Sequence, residues 1–316
     1  MKIAFLYEHP TWSEKLIQCF QNNGVDLKLL NIDKLIFDTG QLDLDFDLLI
    51  NRVNIMPSEQ CNPTVVFHTL HFLNWIELTG VQIVNGAKAH YSGASKAIQN
   101  GIFAKLGLYF PNAMAINRAD DALIAAKEIG YPIIVKPNIG GSGFDIAKYN
   151  NSEELRQAID NRSLKLGVDS SGLVQEYIES DGYVYRIEIL GDELFYAIKQ
   201  KMITDQFNYC AADGCQVGAE SSNQDCEFDF CSVNSSPHIE QFTPSDDIVA
   251  KVLLIIREAE ADVGGVEFLL NQKNGQPCFY DYNPYSNFVS QGEQLLGFSP
   301  EQRYVDFIKA KAQKRS

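Results

Sequence analysis

One stretch constrains this chain more than any other: Tyr131–Ile146, which reads YPIIVKPNIGGSGFDI. Its β-branched run predicts a buried strand, and Lys136 lies at the end of that run. The stretch then continues with Gly140, Gly141, Ser142 and Gly143. Because glycine has no Cβ, such a loop lets backbone N–H groups approach an anion closely. A lysine beside this loop predicts a polyphosphate site, and an ordinary hairpin turn is the alternative.

The composition narrows the class of protein and of partner. At 316 residues the chain suits about two domains or one large one. Its 45% hydrophobic and 21% charged residues are typical of a globular protein. A net charge of −15 argues against nucleic-acid and anionic membrane partners, because these need a basic surface. No apolar run reaches 18 residues and the first apolar run is too short for a secretory signal, so we expect a cytoplasmic protein.

The N-terminal residues predict an open α/β sheet. Ile3–Tyr7 reads as a strand and Thr11–Asn23 as an amphipathic helix, while Asn85–His90 reads as a loop. Ligands of such sheets bind beyond the carboxyl ends of the strands. Arg52 and His9 follow predicted strands, so they are candidates for binding an anionic substrate group. Solvated surface side chains are the alternative.

A second unit is predicted to begin near Ala94. The helix predicted over Ser95–Leu106 has Lys96 in its first turn. A lysine is poorly placed there, because the helix dipole is positive at that end. An anion facing Lys96 would remove the inconsistency.

A third group of polar residues follows the strand predicted over Leu173–Ile178. This strand ends beside Glu179 and Asp181. Its edge is therefore a candidate for offering backbone groups to an adenine, with a nearby carboxylate for the ribose hydroxyls. The next segment predicts a hairpin around Gly191–Asp192. Its arms carry three cations, Arg186, Lys199 and Lys201. Because the chain is acidic overall, this group of cations predicts a patch that faces phosphate.

A second hairpin predicts a metal site. Asn274–Gly275 is a strong turn signal between two apolar runs. Asp281 and Asn283 are two apart on the return strand and share a face, and the hairpin brings Glu267 opposite them. Two carboxylates and one amide suit Mg²⁺ held between the protein and phosphates. An exposed polar hairpin face is the alternative.

Four cysteines cluster in the long polar segment Thr204–Phe242. They are Cys210, Cys215, Cys226 and Cys231. Free thiols or a regulatory disulfide are the favoured interpretation, and a four-thiolate metal site is the alternative.

Together these motifs resemble the ATP-grasp superfamily of carboxylate–amine ligases, with the closest likeness to its RimK-like and glutathione-synthetase-like members. The resemblance implies an N-terminal α/β pre-ATP-grasp domain over 1–93 and an ATP-grasp domain, α+β in its ATP-binding part, over 94–316. It divides the latter into a nucleotide-binding lobe, about 94–180, and a metal-binding catalytic lobe, about 181–316.

The resemblance also implies roles for individual residues. Lys96, Lys136 and the glycine loop match phosphate contacts, and the adenine-binding strand V-Q-E-Y-I matches Val174–Ile178 letter for letter. The nucleotide contacts implied there are Gln175, Glu176, Tyr177 and Ile178, with Glu179 or Asp181 at the ribose. The catalytic cations implied are Arg186, Lys199 and Lys201, and the metal ligands implied are Glu267, Asp281 and Asn283. The family more often has Asp at the first ligand position and Glu at the second, so the two acids are exchanged here.

The implied activity is ATP-dependent formation of an amide bond through an acyl phosphate, with release of ADP and phosphate. The implied cofactors are ATP and Mg²⁺, with Mn²⁺ as a further option, and the substrates are small-molecule or peptide carboxylates and amines. The resemblance leaves the oligomeric state open, with a homo-oligomer as one option, because such ligases are commonly oligomeric. The alternatives are a thioester-forming ligase or small-molecule kinase on the same fold, and a non-catalytic nucleotide-binding regulator with a cysteine-rich sensor segment.

Overall fold

The computed structural model describes residues 2–9, 11–55, 62, 64–141, 143, 145–202, 238–285, 288–289 and 291–313. The described strands form one parallel and two antiparallel sheets. Ser142 and the cysteines of the 204–242 segment lie outside the described residues.

The parallel sheet is built from the N-terminal residues in the order β2-β1-β3-β4. Its strands are β1 (Ile3–Tyr7), β2 (Leu27–Asn31), β3 (Leu48–Asn51) and β4 (Gln82–Val84), and its helices are α1 (Glu14–Asn22), α2 (Val65–Thr79) and α3 (Ala87–Ala94). A 3₁₀ turn covers Ile32–Lys34. The open α/β sheet predicted here is therefore confirmed.

The loop predicted over Asn85–His90 is wrong from Ala87 onward, because α3 begins there. The segment AKAHYSGA has few large apolar residues, so it shows no helical stripe in the sequence. Packing against neighbouring elements stabilises it instead, since Ala89 and His90 are fully buried.

The second sheet is antiparallel, in the order β5-β8-β6-β7. Its strands are β5 (Ala113–Ile116), β6 (Ile133–Pro137), β7 (Ala147–Tyr149) and β8 (Gly172–Glu176). Helices α5 (Asp121–Ile129) and α6 (Ser152–Asp160) cover one face through a cluster that includes Val135, Val174 and Leu155. Helix α4 (Lys96–Lys105) precedes this sheet and packs on the third one. The glycine loop joins the antiparallel pair β6 and β7.

The third sheet is antiparallel, in the order β11-β10-β9-β12-β13. Its strands are β9 (Tyr183–Leu190), β10 (Glu193–Lys201), β11 (Ile239–Gln241), β12 (Val263–Leu270) and β13 (Pro277–Asn283). Helices α4 and α7 (Asp246–Glu258) pack on one face through residues such as Phe103, Ile255 and Phe268. Both predicted hairpins are confirmed, and Gly191 and Gly275 have the positive φ that their turns require.

Two further helices, α8 (Gly292–Leu296) and α9 (Pro300–Gln313), complete the part of the chain described. Helix α9 packs against the parallel sheet, where Tyr304, Val305 and Ile308 join a cluster with Phe5 and Phe20. Among the described helices, none combines the length and the apolar character needed to cross a membrane.

Candidate functional site

Two rows of side chains cross the third sheet on the face opposite α4 and α7. Register partners on neighbouring strands share a face, as do residues two apart on one strand. The first row is Ile198, Arg186, Glu267 and Asp281, on β10, β9, β12 and β13. The second row is Tyr196, Glu188, Gly265 and Asn283. Three predicted metal ligands and one predicted catalytic cation therefore lie together.

Arg186 occupies the centre of this face between two carboxylates. Its Nε donates to Glu188 Oε1 at 2.6 Å, and its Nη1 donates to Glu267 Oε1 at 3.2 Å. Burial alone would lower the pKa of Arg186, but Glu188 and Glu267 raise it well above its ordinary value. The guanidinium is thus a permanent charge held from two sides.

Glu267 has a second partner that depends on a β-bulge. Glu267 pairs with Asp281 and Phe268 pairs with Phe279, so Tyr280 is the extra residue of β13. Its hydroxyl donates to Glu267 Oε2 at 2.6 Å. Burial raises the pKa of Glu267 despite the opposing effect of Arg186.

Lys96 reaches this face from the first turn of α4. The Ser95 side chain caps the helix by accepting from the N–H of Ile98 at 3.3 Å. Lys96 is buried, and its Nζ forms an ion pair with Asp281 Oδ1. Burial by itself would raise the pKa of Asp281, but Lys96 holds it below its usual value. Asp281 is therefore the anion that the position of Lys96 predicted.

Lys136, on the second sheet, lies near Lys96 and Asp281. It is buried at the end of β6, and burial, followed by the nearby charge of Lys96, lowers its pKa to about 7. The charge of Asp281 acts on Lys136 in the opposite direction. Lys96, Lys136 and Asp281 are therefore neighbours at the junction of the two antiparallel sheets.

Gln175 lies on the same face of the second sheet as Lys136. It is the register partner of Ile134, which is two residues from Lys136 on β6. Gln175 is buried, and its Oε1 has no hydrogen-bond partner within the described residues. A buried acceptor of this kind is costly unless a donor reaches it, so it indicates a place for a donor group.

The residues that follow Gln175 surround the end of β8. The N–H of Asn112 donates to Glu176 Oε2 at 3.3 Å, and Lys148 Nζ lies 3.7 Å from the centre of the Tyr177 ring. Ile178 is buried. Lys148 is the register partner of Ile134, so it adds a cation to the same face that the sequence did not indicate.

Part of the glycine loop is described. Gly140 and Gly141 are half-buried, and Gly143 has φ +75°, a conformation that side-chain-bearing residues rarely adopt.

Lys199 and Lys201 lie on the other face of the sheet from Arg186. Lys199 Nζ contacts Glu240 at 3.1 Å and lies 4.9 Å from the centre of the Tyr183 ring. A bulge at Phe195, between the paired Leu194 and Tyr196, shifts β10 by one residue. Such a shift moves every later side chain to the opposite face. The predicted patch of Arg186 with both lysines is therefore not formed.

The two acids predicted at the ribose follow β8. Glu179 is exposed. Asp181 accepts from the Tyr185 hydroxyl at 2.6 Å and from the N–H of Tyr183 at 3.2 Å.

Arg52 and His9 lie at the carboxyl ends of the parallel strands, as predicted. The Arg52 guanidinium carbon is 5.3 Å from the centre of the Phe288 ring and 5.7 Å from that of Tyr304. The His9 ring stacks on Trp12 with ring centres 4.4 Å apart. Arg52 therefore lies where the parallel sheet meets α9.

Glu267, Asp281 and Asn283 fit a metal ion whose remaining ligands are phosphate and water oxygens. In the described part of the chain no three His, Cys, Asp or Glu side chains cluster as a metal site. Two carboxylates and the Asn283 amide remain, and Asn283 Oδ1 also accepts from the N–H of Tyr285 at 2.9 Å. Mg²⁺ is commonly bound by one or two carboxylates plus substrate phosphates, so this partial set is suitable.

Comparison with known proteins agrees with this architecture. A family model described as the D-Ala–D-Ala ligase C-terminus matches residues 102–217. The D-alanine–D-alanine ligase of Bacillus velezensis is 33% identical over 204 residues, which are 60% of this chain and 52% of that protein. The glutamate–LysW ligase ArgX of Sulfurisphaera tokodaii is 24% identical over 197 residues, 61% of this chain and 66% of that protein. The chain thus spans about half to just under two thirds of these relatives.

A solved structure matches nearly the whole chain. The RimK domain ATP-grasp protein of Sphaerobacter thermophilus is 17% identical, and the match covers 98% of this chain and 100% of that one with a TM-score of 0.65. The fold is therefore the ATP-grasp fold that the motifs predicted. The matched family model and both sequence relatives are described as ligases.

Proposed function

We propose that the chain is an ATP-dependent, ADP-forming ligase that joins the carboxylate of an amino acid or peptide to an amine. The observation that carries the proposal is the convergence of Lys96, Lys136 and Arg186 on the Glu267–Asp281 pair, where two sheets meet. These cations suit a triphosphate, and the two carboxylates suit the divalent ion that accompanies it.

The nucleoside end of ATP fits the second sheet. The unpartnered Gln175 Oε1 is an acceptor, and the exocyclic amine of adenine is a donor. Lys136 lies on the same face of this sheet, so one nucleotide can reach both residues. A bound polyphosphate would also favour the charged form of Lys136, whose pKa burial and Lys96 lower to about 7.

Glu267, Asp281 and Asn283 are the proposed metal ligands. Glu267 and Asp281 already contact Arg186 and Lys96 through one oxygen each. Carboxylate oxygens have more than one lone pair, so these contacts are compatible with a metal ion. When bound, Mg²⁺ neutralises charge on the phosphate oxygens and orients them.

The proposed reaction needs no covalent bond to the protein. An oxygen of the substrate carboxylate attacks the γ-phosphorus of ATP, the bond to ADP breaks, and an acyl phosphate forms. The amine nitrogen then attacks the acyl carbon, phosphate leaves, and the amine loses a proton. Lys136 and Arg186 would stabilise the negative charge on the γ-phosphoryl oxygens, and positioning supplies much of the rest.

The acyl substrate is proposed to contact Arg52. Its guanidinium is packed beside two aromatic rings, which limits its freedom and favours binding of a carboxylate. His9 is the second proposed contact. The relatives, a D-alanine–D-alanine ligase and a glutamate–LysW ligase, support an amino-acid substrate. The ribose contacts Glu179 and Asp181, the use of Mn²⁺, a homo-oligomer and a cytoplasmic location stay predictions from the sequence.

The test is phosphate release from ATP and Mg²⁺ with pairs of amino acids and short peptides. We expect pair-dependent release together with a product whose mass is the sum of the pair minus water. Asp281→Asn should reduce turnover by more than tenfold and raise the Mg²⁺ requirement. Glu258→Gln, which alters a surface pair with Lys105, is the matched control and should leave both unchanged. A stable phosphorylated product, or full activity of Asp281→Asn, would contradict the proposal.

A further inference from the structure

Glu188 is a buried acid on the site face that the proposed reaction does not yet use. Its side chain is fully buried, although it lies two residues from Arg186 on β9. Its Oε1 accepts from Arg186 Nε at 2.6 Å. A carboxylate removed from water at this cost normally has a specific partner, and here that partner is a predicted phosphate-binding cation.

Gly265 provides the space for this contact. It is the register partner of Glu188 on β12. A Cβ at residue 265 would lie 2.5 Å from Glu188 Oε1 and 3.1 Å from Arg186 Nε. Real Cβ atoms do not approach other atoms as closely as the first distance, so the carboxylate would have to move.

Tyr196 closes the other side of the carboxylate. It is the register partner of Glu188 on β10 and is itself buried. Its hydroxyl accepts from the N–H of Val289 at 3.3 Å, so the ring is anchored beyond the sheet. Glu188 therefore lies in a closed niche between Gly265 and Tyr196.

We infer that Glu188 is a positioning residue for Arg186. Residue 265 is glycine because the Glu188–Arg186 pair occupies the space that a Cβ would take. This inference rests on the proposed function. Glu188 binds Nε and Glu267 binds Nη1, so the plane of the guanidinium is fixed from two sides. Arginine has five N–H donors in a rigid fork. The donors that remain are then directed at a phosphate without further ordering of the side chain.

The test is a double-mutant cycle with Glu188→Gln, Arg186→Lys and the double variant, measured as kcat and KM for ATP. Lysine has no Nε–H in the arginine position and no planar fork, so the contact by which Glu188 fixes the guanidinium plane is already lost in Arg186→Lys. We expect Glu188→Gln to lower kcat about tenfold in the parent chain and by less than twofold beside Arg186→Lys, with KM for ATP changed little. A displaced catalytic group commonly costs up to about a hundredfold in rate. Equal losses in both backgrounds would overturn the inference.

Gly265→Ala tests the same contact without removing either charge. We expect it to lower kcat about tenfold or more while far-UV circular dichroism stays unchanged. Gly101→Ala is the glycine control, because a Cβ there meets nothing within 4 Å. Unchanged kcat in a folded Gly265→Ala would overturn the inference.

The failure of the proposed function has a different signature. Absence of turnover in the parent chain with any substrate pair would contradict the ligase proposal itself. The same cycle is then measured by calorimetry as the affinity for Mg-ADP with aluminium fluoride, a mimic of the phosphoryl group in transfer, because ground-state binding of ATP is expected to change little. Non-additive losses of affinity would support the role of Glu188, and additive losses would overturn it.

Discussion

Replacing Asn85 by alanine should destabilise the attachment of the parallel sheet to the candidate site. This one buried amide follows β4 and bonds to two segments of the third sheet. Its Nδ2 donates to the Val263 carbonyl at 3.0 Å and the Pro284 carbonyl at 2.6 Å. Its Oδ1 accepts from the N–H of Asp262 at 2.8 Å and of Val263 at 3.1 Å. Pro284 directly follows the proposed metal ligand Asn283.

The magnitude follows from what the substitution leaves behind. Two N–H groups lose their Oδ1 acceptor, and each buried unsatisfied group costs about 1–3 kcal/mol. Asn85 also has φ +58°, which alanine adopts at a cost of about 1–2 kcal/mol. The expected loss in the free energy of unfolding is therefore about 3–8 kcal/mol, a large part of the roughly 5–15 kcal/mol of a typical protein.

The assay uses the position of the tryptophans. The chain has two, Trp12 and Trp75, and both lie in the part that forms the parallel sheet and its helices. Urea unfolding is therefore followed by tryptophan fluorescence for that part and by far-UV circular dichroism for the whole chain. We expect Asn85→Ala to shift the fluorescence transition to lower urea, and to separate it from the circular dichroism transition.

Asn85→Gly separates hydrogen bonding from backbone strain, because glycine adopts a positive φ freely. If the amide contacts dominate, Asn85→Gly should recover only the about 1–2 kcal/mol of backbone strain and should stay clearly less stable than the parent. A glycine variant with parent-like stability would refute the hydrogen-bond reasoning. A loss of less than about 1 kcal/mol in Asn85→Ala would refute the role of Asn85 as a joint.

Two further predictions concern packing and surface charge. Gly93→Ala should destabilise the chain by about 1–3 kcal/mol in urea unfolding, because its Cβ would overlap the Pro284 ring. The exposed Gly101→Ala should instead stabilise α4 by about 0.5–1 kcal/mol, and equal effects would contradict the packing argument. Glu258→Gln should change the free energy of unfolding by less than about 1 kcal/mol, since exposed ion pairs contribute little. A larger change in the free energy of unfolding, measured in urea, would contradict this.

Features that depend on residues close together in the sequence were predictable from it. The turn at Asn274–Gly275 defines a hairpin, and alternation within β13 puts Asp281 and Asn283 on one face. The unfavourable position of Lys96 in a first helical turn correctly indicated an anion, which is Asp281. These inferences succeed because neighbours in the sequence determine them.

Contacts between distant segments were not predictable in this way. Glu188 looks like any strand residue until Gly265 is known to lie opposite it. The helix over Ala87–Ala94 depends on burial by other elements, which its own residues do not indicate. A spacing of two between Arg186 and Glu188 was the available signal for their pair, because alternation places both on one face.

Two single-residue bulges decide which side chains belong to the site. With a regular hairpin after Gly191–Asp192, Arg186 would pair with Ala197, and Lys199 would share its face. Because of the bulge at Phe195, Arg186 pairs with Ile198 instead, and Lys199 lies on the opposite face of the sheet. The bulge in β13 has the opposite effect, because it gives Tyr280 access to Glu267. One bulge therefore keeps Lys199 away from Arg186, and the other brings the Tyr280 hydroxyl to Glu267. Bulges are common beside functional sites because they redirect individual side chains in this way.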